Sequence, residues 1–373
     1  MMFHHDGRTY EEATSHAGKV MKQKLTAEIE AARQYSTNAL LRIEREIPTD
    51  LIVPAPAMLF DEQGGRLGYH VGSKEGVQAE GVIHPWALGQ IAETVAMPKT
   101  FINALMAMRE GDEPWGAKLA ARNLSELMAH RKEKHLVRTV DGNLRGFLSP
   151  RYQRRHPGVL LDTFLAACKE FNLLPARAFA SDTKHGVHAV LDAILEPVPN
   201  EFIGIGVFYG ESPFGNGATE ISISMKRMWC SNLAMAEQNL RAVHSGGSLS
   251  DDIVWSDETY KKDTQLAASK MRDMLKACVG PEFIVKTMDS IREANDKKLT
   301  GGAFETFLKK ALSKEDGKEV LKTFNSADVE LLPPGNTVWR ASNAISAFAN
   351  TTEDEEKKLD LQKLAGRALT AFN

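Results

Sequence analysis

The spacing of apolar residues changes several times along the chain, and each change predicts a different kind of element. Between residues 11 and 35, apolar positions from Val20 to Ile29 recur at steps of three and four, which places them on one face of a helix. Residues 51 to 82 instead contain short apolar runs interrupted by prolines and glycines, a pattern typical of small strands joined by turns. An amphipathic helix followed by a small sheet is therefore expected.

Prolines mark the starts of three further helices. Pro85, Pro98 and Pro114 each stand where a helix can begin, because the ring fixes a helical φ and no hydrogen-bond donor is needed in the first turn. The expected helices cover residues 85 to 95, 98 to 109 and 114 to 131.

The stretch from residue 134 to 230 alternates between strand patterns and turns, with one helix predicted at 157 to 172. Asp141-Gly142 separates two strand-like runs and Gly215-Asn216-Gly217 separates two others; Asp-Gly and Asn-Gly tolerate positive φ, so both favour β-hairpins. The predicted strands are Leu136 to Val140, Leu144 to Leu148, Ala176 to Ala180, Val187 to Leu195, Phe202 to Tyr209 and Thr219 to Trp229. An antiparallel sheet is the expected result.

After about residue 255 the pattern becomes helical. Ser256 or Asp257 can cap one helix, and Gly280-Pro281 can end it and start another. Further helices are predicted at 303 to 312, 338 to 349 and 356 to 371. We predict an α+β fold in which an antiparallel sheet with packed helices, residues 1–248, is followed by a mostly helical carboxyl-terminal region, residues 249–373, with the boundary in the acidic stretch from 246 to 258.

Composition narrows the class of protein. With 43% hydrophobic and 25% charged residues the chain is globular in composition, and its net charge of -3 gives no general attraction to DNA or an anionic membrane. No apolar run has the length of a signal-peptide core or a membrane span, so we expect a cytoplasmic protein with no membrane partner. The three cysteines are far apart, which argues against a disulfide framework or a zinc site.

Two motifs invite a catalytic or cofactor interpretation, and neither supports it. The glycine pattern that starts at Gly204-x-Gly206 has the wrong spacing for a dinucleotide site and is followed by a predicted hairpin rather than a helix. Asp182, His185 and His188 have a spacing that suggests a metal site, but a three-residue step on a strand puts the two imidazoles on opposite faces. No cofactor, metal ligand or catalytic residue is predicted.

The basic segment, residues 131–155, is the most informative stretch, with eight Lys or Arg against one Glu and one Asp, an excess of six positive charges. Such an excess in a near-neutral chain is a candidate polyanion footprint, although a solvated sheet edge would produce the same pattern. Arg138 and Arg145 flank the turn of the predicted hairpin, and Tyr152 could stack on a base. The predicted nucleic-acid-binding residues are Arg138, Arg145, Arg151, Tyr152, Arg154, Arg155, Lys226 and Arg227.

Five stretches resemble a known family. They are Arg145-Gly-Phe-Leu-Ser-Pro-Arg-Tyr, Asn216-Gly-Ala-Thr-Glu-Ile-Ser-Ile, Trp229-Cys-Ser-Asn-Leu, Asp252-Ile-Val-Trp-Ser-Asp-Glu-Thr and Asn336-Thr-Val-Trp. Together they are similar to the phage/plasmid-like protein family of unknown function, which occurs in prophages, phages and plasmids. The resemblance covers roughly residues 50 to 350 and implies a bacterial or phage-infected cytoplasm and a task on a mobile genetic element. It implies no mechanism.

Three hypotheses for function follow. The first is a non-catalytic nucleic-acid-binding protein that binds or anneals single-stranded DNA in recombination or replication, forms homo-oligomers and, by analogy of fold, resembles the phage annealing proteins. The second is a protein-binding module whose helical carboxyl-terminal region engages or inhibits a host defence, repair or replication protein. The third is a metal-dependent nuclease, which would need scattered Asp and His residues to converge in space.

Overall fold

The fold is a mixture of helices and antiparallel sheets, as the sequence predicts. A computed structural model describes residues 10–73, 76–228, 232–242, 255–299, 302–327 and 332–372. Within these ranges the strands form three sheets, two with three strands and one with five, and helices dominate the carboxyl-terminal part. The predicted α+β class is confirmed.

The amino-terminal part contains two small sheets and five helices. Its helices are α1 (Tyr10–Ala31), α2 (Arg33–Arg45), α3 (Pro85–Thr94), α4 (Lys99–Met106) and α5 (Trp115–Ala129). Its strands are β1 (Thr49–Pro54), β2 (Met58–Gln63), β3 (Arg66–Ser73), β4 (Gly76–Val82), β5 (Lys134–Val140) and β6 (Asn143–Leu148). The predicted first helix is therefore followed almost directly by a second, and Pro85 stands in the first turn of its helix as expected.

The two small sheets have the strand orders β1-β5-β6 and β2-β3-β4, and their apolar side chains share one core with α3, α4 and α5. The predicted hairpin at Asp141-Gly142 is confirmed, with positive φ at both residues (49° and 76°). This conformation matches the right-handed twist of the two strands, which is why the turn closes the β5–β6 pair.

The five-stranded sheet is the centre of the molecule. After α6 (Pro157–Glu170), the chain forms β7 (Leu173–Ala180), β8 (His185–Val198), β9 (Glu201–Glu211), β10 (Thr219–Arg227) and β11 (Leu233–Ala242). All neighbours are antiparallel, in the order β11-β10-β9-β8-β7. The predicted hairpin between β9 and β10 is confirmed with a longer loop than Asn-Gly alone requires, and β11 was not predicted.

The carboxyl-terminal part is helical, with α7 (Asp257–Cys278), α8 (Pro281–Asp296), α9 (Ala303–Ala311), α10 (Lys314–Phe324), α11 (Val338–Ala349) and α12 (Glu355–Ala368). Ser256 caps α7 as predicted, whereas α10 was not predicted. The predicted boundary at residues 248 and 249 lies outside the described residues. Among those that are described, no helix has the length and apolar character needed to cross a membrane.

The carboxyl-terminal helices share their apolar clusters with the sheet. One face of the sheet packs on α6 and α7, with Val207 and Tyr209 in the same cluster as Phe164 and Leu275. Trp339 of α11 is buried in a second cluster that includes sheet residues. The opposite face of the sheet is only partly covered, by α1 on one side and α12 on the other.

Candidate nucleic-acid interface

The first arginine of the basic segment lies inside the protein. The side chain of Arg138 is 3% exposed; its Nε donates to Asp50 Oδ1 at 2.7 Å, and its Nη1 donates to the carbonyl of Pro213. Its guanidinium carbon lies 5.5 Å from the ring centre of Tyr152, whose hydroxyl donates to the carbonyl of Ser212 at 2.9 Å. Burial raises the pKa of Tyr152 above its usual value. These two predicted binding residues therefore fasten the β5–β6 hairpin to the loop that follows β9.

Arg145 contacts the same loop. The pairing of β5 with β6 contains a β-bulge: Arg138 pairs with Gly146 and Thr139 with Leu144, so Arg145 is the extra residue. The bulge turns the side chain of Arg145 toward the face of the hairpin that carries Arg138. Its Nη1 donates to Glu46 Oε2 at 2.6 Å, and its guanidinium carbon lies 6.0 Å from the ring centre of Phe214. Burial acts to raise the pKa of Glu46, but hydrogen bonds from Arg42 and Arg145 outweigh it and lower that pKa.

The remaining arginines of the basic segment connect it to α7. Arg155 is 6% exposed and donates from Nε to Asp263 Oδ2 at 3.0 Å and from Nη1 to Thr219 Oγ1 at 3.1 Å. Arg154 stacks on Tyr260, with its guanidinium carbon 4.0 Å from the ring centre. Arg151 is partly exposed at the start of this loop.

Lys226 and Arg227, the second predicted basic group, are also paired within the chain. Lys226 forms an ion pair with Glu28 of α1. Arg227 is 2% exposed and holds Glu201 through two hydrogen bonds, Nε to Oε2 at 2.7 Å and Nη2 to Oε1 at 2.8 Å. Trp229, which follows them in the sequence, lies outside the described residues.

The structure therefore places the predicted binding residues mainly at internal junctions. Five of them form close ion pairs with carboxylates from other parts of the sequence, which offset their positive charges: Arg138, Arg145, Arg155, Lys226 and Arg227. A phosphate could reach these arginines only by displacing a buried or half-buried carboxylate, which is unfavourable. The observed role of the basic segment is to join the small sheets, the five-stranded sheet and α7.

We expect Arg138→Ala to lower the free energy of unfolding by about 2–3 kcal/mol, because it leaves the Asp50 carboxylate without its hydrogen-bonded partner. Lys132→Ala is the control, since this residue belongs to the same segment but is exposed, and a change within about 0.5 kcal/mol is expected there. Urea titration of both variants measures the difference. Equal stability of the two would show that Arg138 does not hold the junction.

A groove crosses the other face of the five-stranded sheet. Under α1, Val190 and Phe202 pack against Met21 and Leu25; under α12, Phe208 packs against Leu359. From Val190 the row of cross-strand partners continues through Gly206 to Ser224. Val190 and Ser224 line an open space on this face of the sheet.

We call this space the groove; its volume is about 500 Å³, and α1 and α12 form its walls. Three cations line it, Arg177 on β7, Lys226 on β10 and Lys358 on α12, with two carboxylates, Glu28 and Glu355, so one positive charge is in excess. Arg177 pairs with Glu355 at 2.5 Å and Lys226 pairs with Glu28. Lys358 has no ion-pair partner among the described residues.

The floor of the groove is polar and incompletely hydrogen-bonded. Ser224 is 1% exposed and its Oγ has no hydrogen-bond partner; His188 is 9% exposed and its Nδ1 has none. Burial, and then the positive charges of Arg177 and Lys226, lower the pKa of His188 to about 3, so its imidazole is neutral at pH 7. The floor therefore presents neutral polar atoms below a cationic rim.

Only one predicted binding residue, Lys226, lines the groove. The other two cations that line it, Arg177 and Lys358, were missed because clusters of positive charge in the sequence were the signal used. Arg177 has no basic neighbour, and Lys358 follows Lys357 directly after the acidic run 353–356. A different signal was present: Ser222 and Ser224 alternate with isoleucines, which indicates a strand with one polar face.

His185 and His188 lie on opposite faces of the five-stranded sheet, as their spacing predicts. The ring centre of His185 is 6.2 Å from that of Tyr209 on one face, and the ring centre of His188 is 4.6 Å from that of Phe208 on the other. Asp182 instead accepts from Arg42 at 2.5 Å and lies 3.2 Å from His84 Nε2. Across the described ranges, no three His, Cys, Asp or Glu side chains are arranged to hold a metal ion.

The resemblance to the phage/plasmid-like family stays a prediction. No family model matches this chain, and neither a curated protein nor a solved structure matches it.

Proposed function

We propose that the protein binds single-stranded nucleic acid without catalysis, in the groove between α1 and α12. The observation that carries the proposal is a groove of about 500 Å³ over the polar face of the sheet, lined by three cations, Arg177, Lys226 and Lys358, and by two carboxylates that pair with the first two and leave Lys358 in excess. Single-strand binding combines a cationic groove for the backbone with aromatic side chains on which bases stack. The resemblance to phage and plasmid proteins implies a mobile-element context, in which DNA replication, recombination and evasion of host defence are the usual tasks.

The charge of the groove favours an anion. Burial and the neighbouring Arg177 lower the pKa of Lys358, and the charge of Glu355 offsets only part of that effect. The negative charge of a phosphate near Lys358 would add to that offset. Glu355 already partners Arg177, so Lys358 is the cation most available to a ligand.

An exposed aromatic ring lies beside the groove. Tyr35, on α2, is 43% exposed, and the guanidinium carbon of Arg177 lies 5.2 Å from its ring centre. An exposed tyrosine stacked on an arginine is a suitable platform for a base. Bases are available for such stacking in a single strand and are hidden inside a duplex, which favours single-stranded over double-stranded ligands.

We expect Lys358→Gln to weaken binding to a labelled oligonucleotide about three- to tenfold at low salt and to reduce the slope of log Kd against log salt by about 0.7, because one phosphate contact is lost. Fluorescence anisotropy over a salt series measures both quantities. The matched control is Lys318→Gln on α10, an exposed lysine away from the groove. The proposal fails if the unaltered protein does not bind at low salt, or if the two variants weaken binding equally.

A further inference from the structure

Two buried polar atoms on the floor of the groove need a partner. Ser224 Oγ and His188 Nδ1 line the groove, are more than nine-tenths buried by residue and have no hydrogen-bond partner. Leaving such atoms unpaired is unfavourable, so a native protein usually meets them with water or a ligand. The groove is within the size range of pockets that hold small organic ligands.

Gly206 allows close packing of the strands beside Ser224. Gly206 lies directly between Val190 and Ser224 in the strand register, while His188 is two residues before Val190 on the same strand. A Cβ atom at position 206 would stand 2.9 Å from Ser224 Oγ and 2.3 Å from the carbonyl oxygen of Ala189. A side chain at this position would therefore crowd Ser224 and the backbone of β8.

The chemistry of the floor differs from that of the walls. Lys358 lies on the wall helix α12 and Arg177 on the edge strand β7, whereas the floor carries a hydroxyl and an imidazole that burial keeps neutral at pH 7. Lys226, also on the sheet, is paired with Glu28. The aliphatic side chains of Leu25, Ile29 and Leu359 line the groove as well. A phosphate therefore fits Lys358 and Arg177 and is a poor partner for the floor. A neutral heterocycle with polar edges and apolar faces fits the floor.

A nucleotide combines these two chemistries, so we propose that the groove is a base-reading site. Its floor binds one unstacked nucleobase through hydrogen bonds to Ser224 Oγ and His188 Nδ1. The adjoining phosphates lie along Lys358 and Arg177. This inference rests on the proposed function and adds to it that the base, and not only the backbone, is recognised. It assigns Ser224 and His188 as binding residues.

The test compares a short labelled oligonucleotide with an abasic oligonucleotide of the same length and charge. Binding of the abasic strand is expected to be about tenfold weaker or more. Equal binding of the two strands would overturn the base-reading site and leave nucleic-acid binding intact. If neither strand binds, the proposed function fails as well.

A pair of variants locates the base. Ser224→Ala should weaken binding of the normal strand about fivefold or more and leave binding of the abasic strand unchanged, because only the contact to the base is lost. Ser222→Ala is the matched control: its hydroxyl is also buried and unpartnered and lies on the same strand and face, but outside the groove. Both variants remove an unpaired hydroxyl, so folding, checked by circular dichroism, should be retained. Equal loss from both variants, or equal loss of both strands with Ser224→Ala, would contradict the assignment.

Discussion

Arg227→Ala is expected to lower the free energy of unfolding by about 3–5 kcal/mol, because it leaves the buried carboxylate of Glu201 without its partner. Arg227 and Glu201 are 2% and 8% exposed, and two hydrogen bonds of 2.7 and 2.8 Å join them. Trp339 Nε1 lies 3.4 Å from the same carboxylate, so the pair sits where β9 and β10 meet α11. Loss of the arginine would leave the Glu201 charge in a site that water cannot reach.

The chain contains a control with nearly the same geometry and a different environment. Arg272 and Glu170 also form a two-point pair, with distances of 3.0 and 2.5 Å, but their side chains are 48% and 46% exposed. Arg272→Ala should therefore cost no more than about 1 kcal/mol, because water and salt screen an exposed pair. Denaturant titration of both variants isolates the effect of burial.

A double variant separates the ion pair from the packing around it. Arg227→Met with Glu201→Met removes both charges together and should recover a large part of the stability lost in Arg227→Ala, since no buried charge is left unpaired. If Arg227→Ala were no more destabilising than Arg272→Ala, the buried pair would not be a stabilising element of this junction.

A fall in pH from 7 to 5 is expected to lower the free energy of unfolding by about 3–4 kcal/mol through two histidines. Burial lowers the pKa of His185 to about 4 and that of His188 to about 3. Each imidazole stays neutral in the folded protein but takes up a proton in the unfolded chain once the pH falls below about 6.5. Their stabilising contribution is therefore complete above about pH 7 and decreases as the pH falls toward the folded-state values.

Carboxylates do not explain a loss of stability between pH 7 and pH 5. The pKa values of Glu46, Asp182 and Glu356 are lowered in the folded protein, so their contribution is lost only as the pH falls below their ordinary values of 4.5, 3.8 and 4.5. The interval between pH 7 and 5 therefore reports mainly on the histidines.

Single variants can assign the pH effect to each histidine. His185→Gln and His188→Gln should each remove about 2 kcal/mol of the difference in unfolding free energy between pH 7 and pH 5, whatever they do to stability at pH 7. His16→Gln, an exposed position on α1, should leave the difference unchanged. Burial also lowers the pKa of His135, so a smaller pH dependence is expected to remain in the double variant His185→Gln with His188→Gln. An undiminished pH dependence in that variant would contradict this account.

Local signals account for much of the secondary structure. Pro85 starts a helix, Ser256 caps another and Asp141-Gly142 closes a hairpin, because the physical cause of each lies within a few residues of it. Strand β11 is the contrary case: Ala, Met, Glu, Gln and Leu in it favour a helix, and its pairing with β10 overrides that preference. Helix α10 contains Gly317, which weakens a helical pattern in sequence, yet the glycine is buried against Leu308.

The sequence by itself determined the α+β class, the hairpin of the basic segment and the polar alternation of β10, since each depends on neighbouring residues. Only the tertiary structure decided which charges are available to a ligand. Asp50 is 88 residues from Arg138, and Glu28 is 198 residues from Lys226, so no pattern in the chain shows that these cations are paired. Long-range folding also brought Arg177 and Lys358 to one groove. Electrostatic interactions act through space, and a cluster of charges in sequence need not be a cluster on the surface.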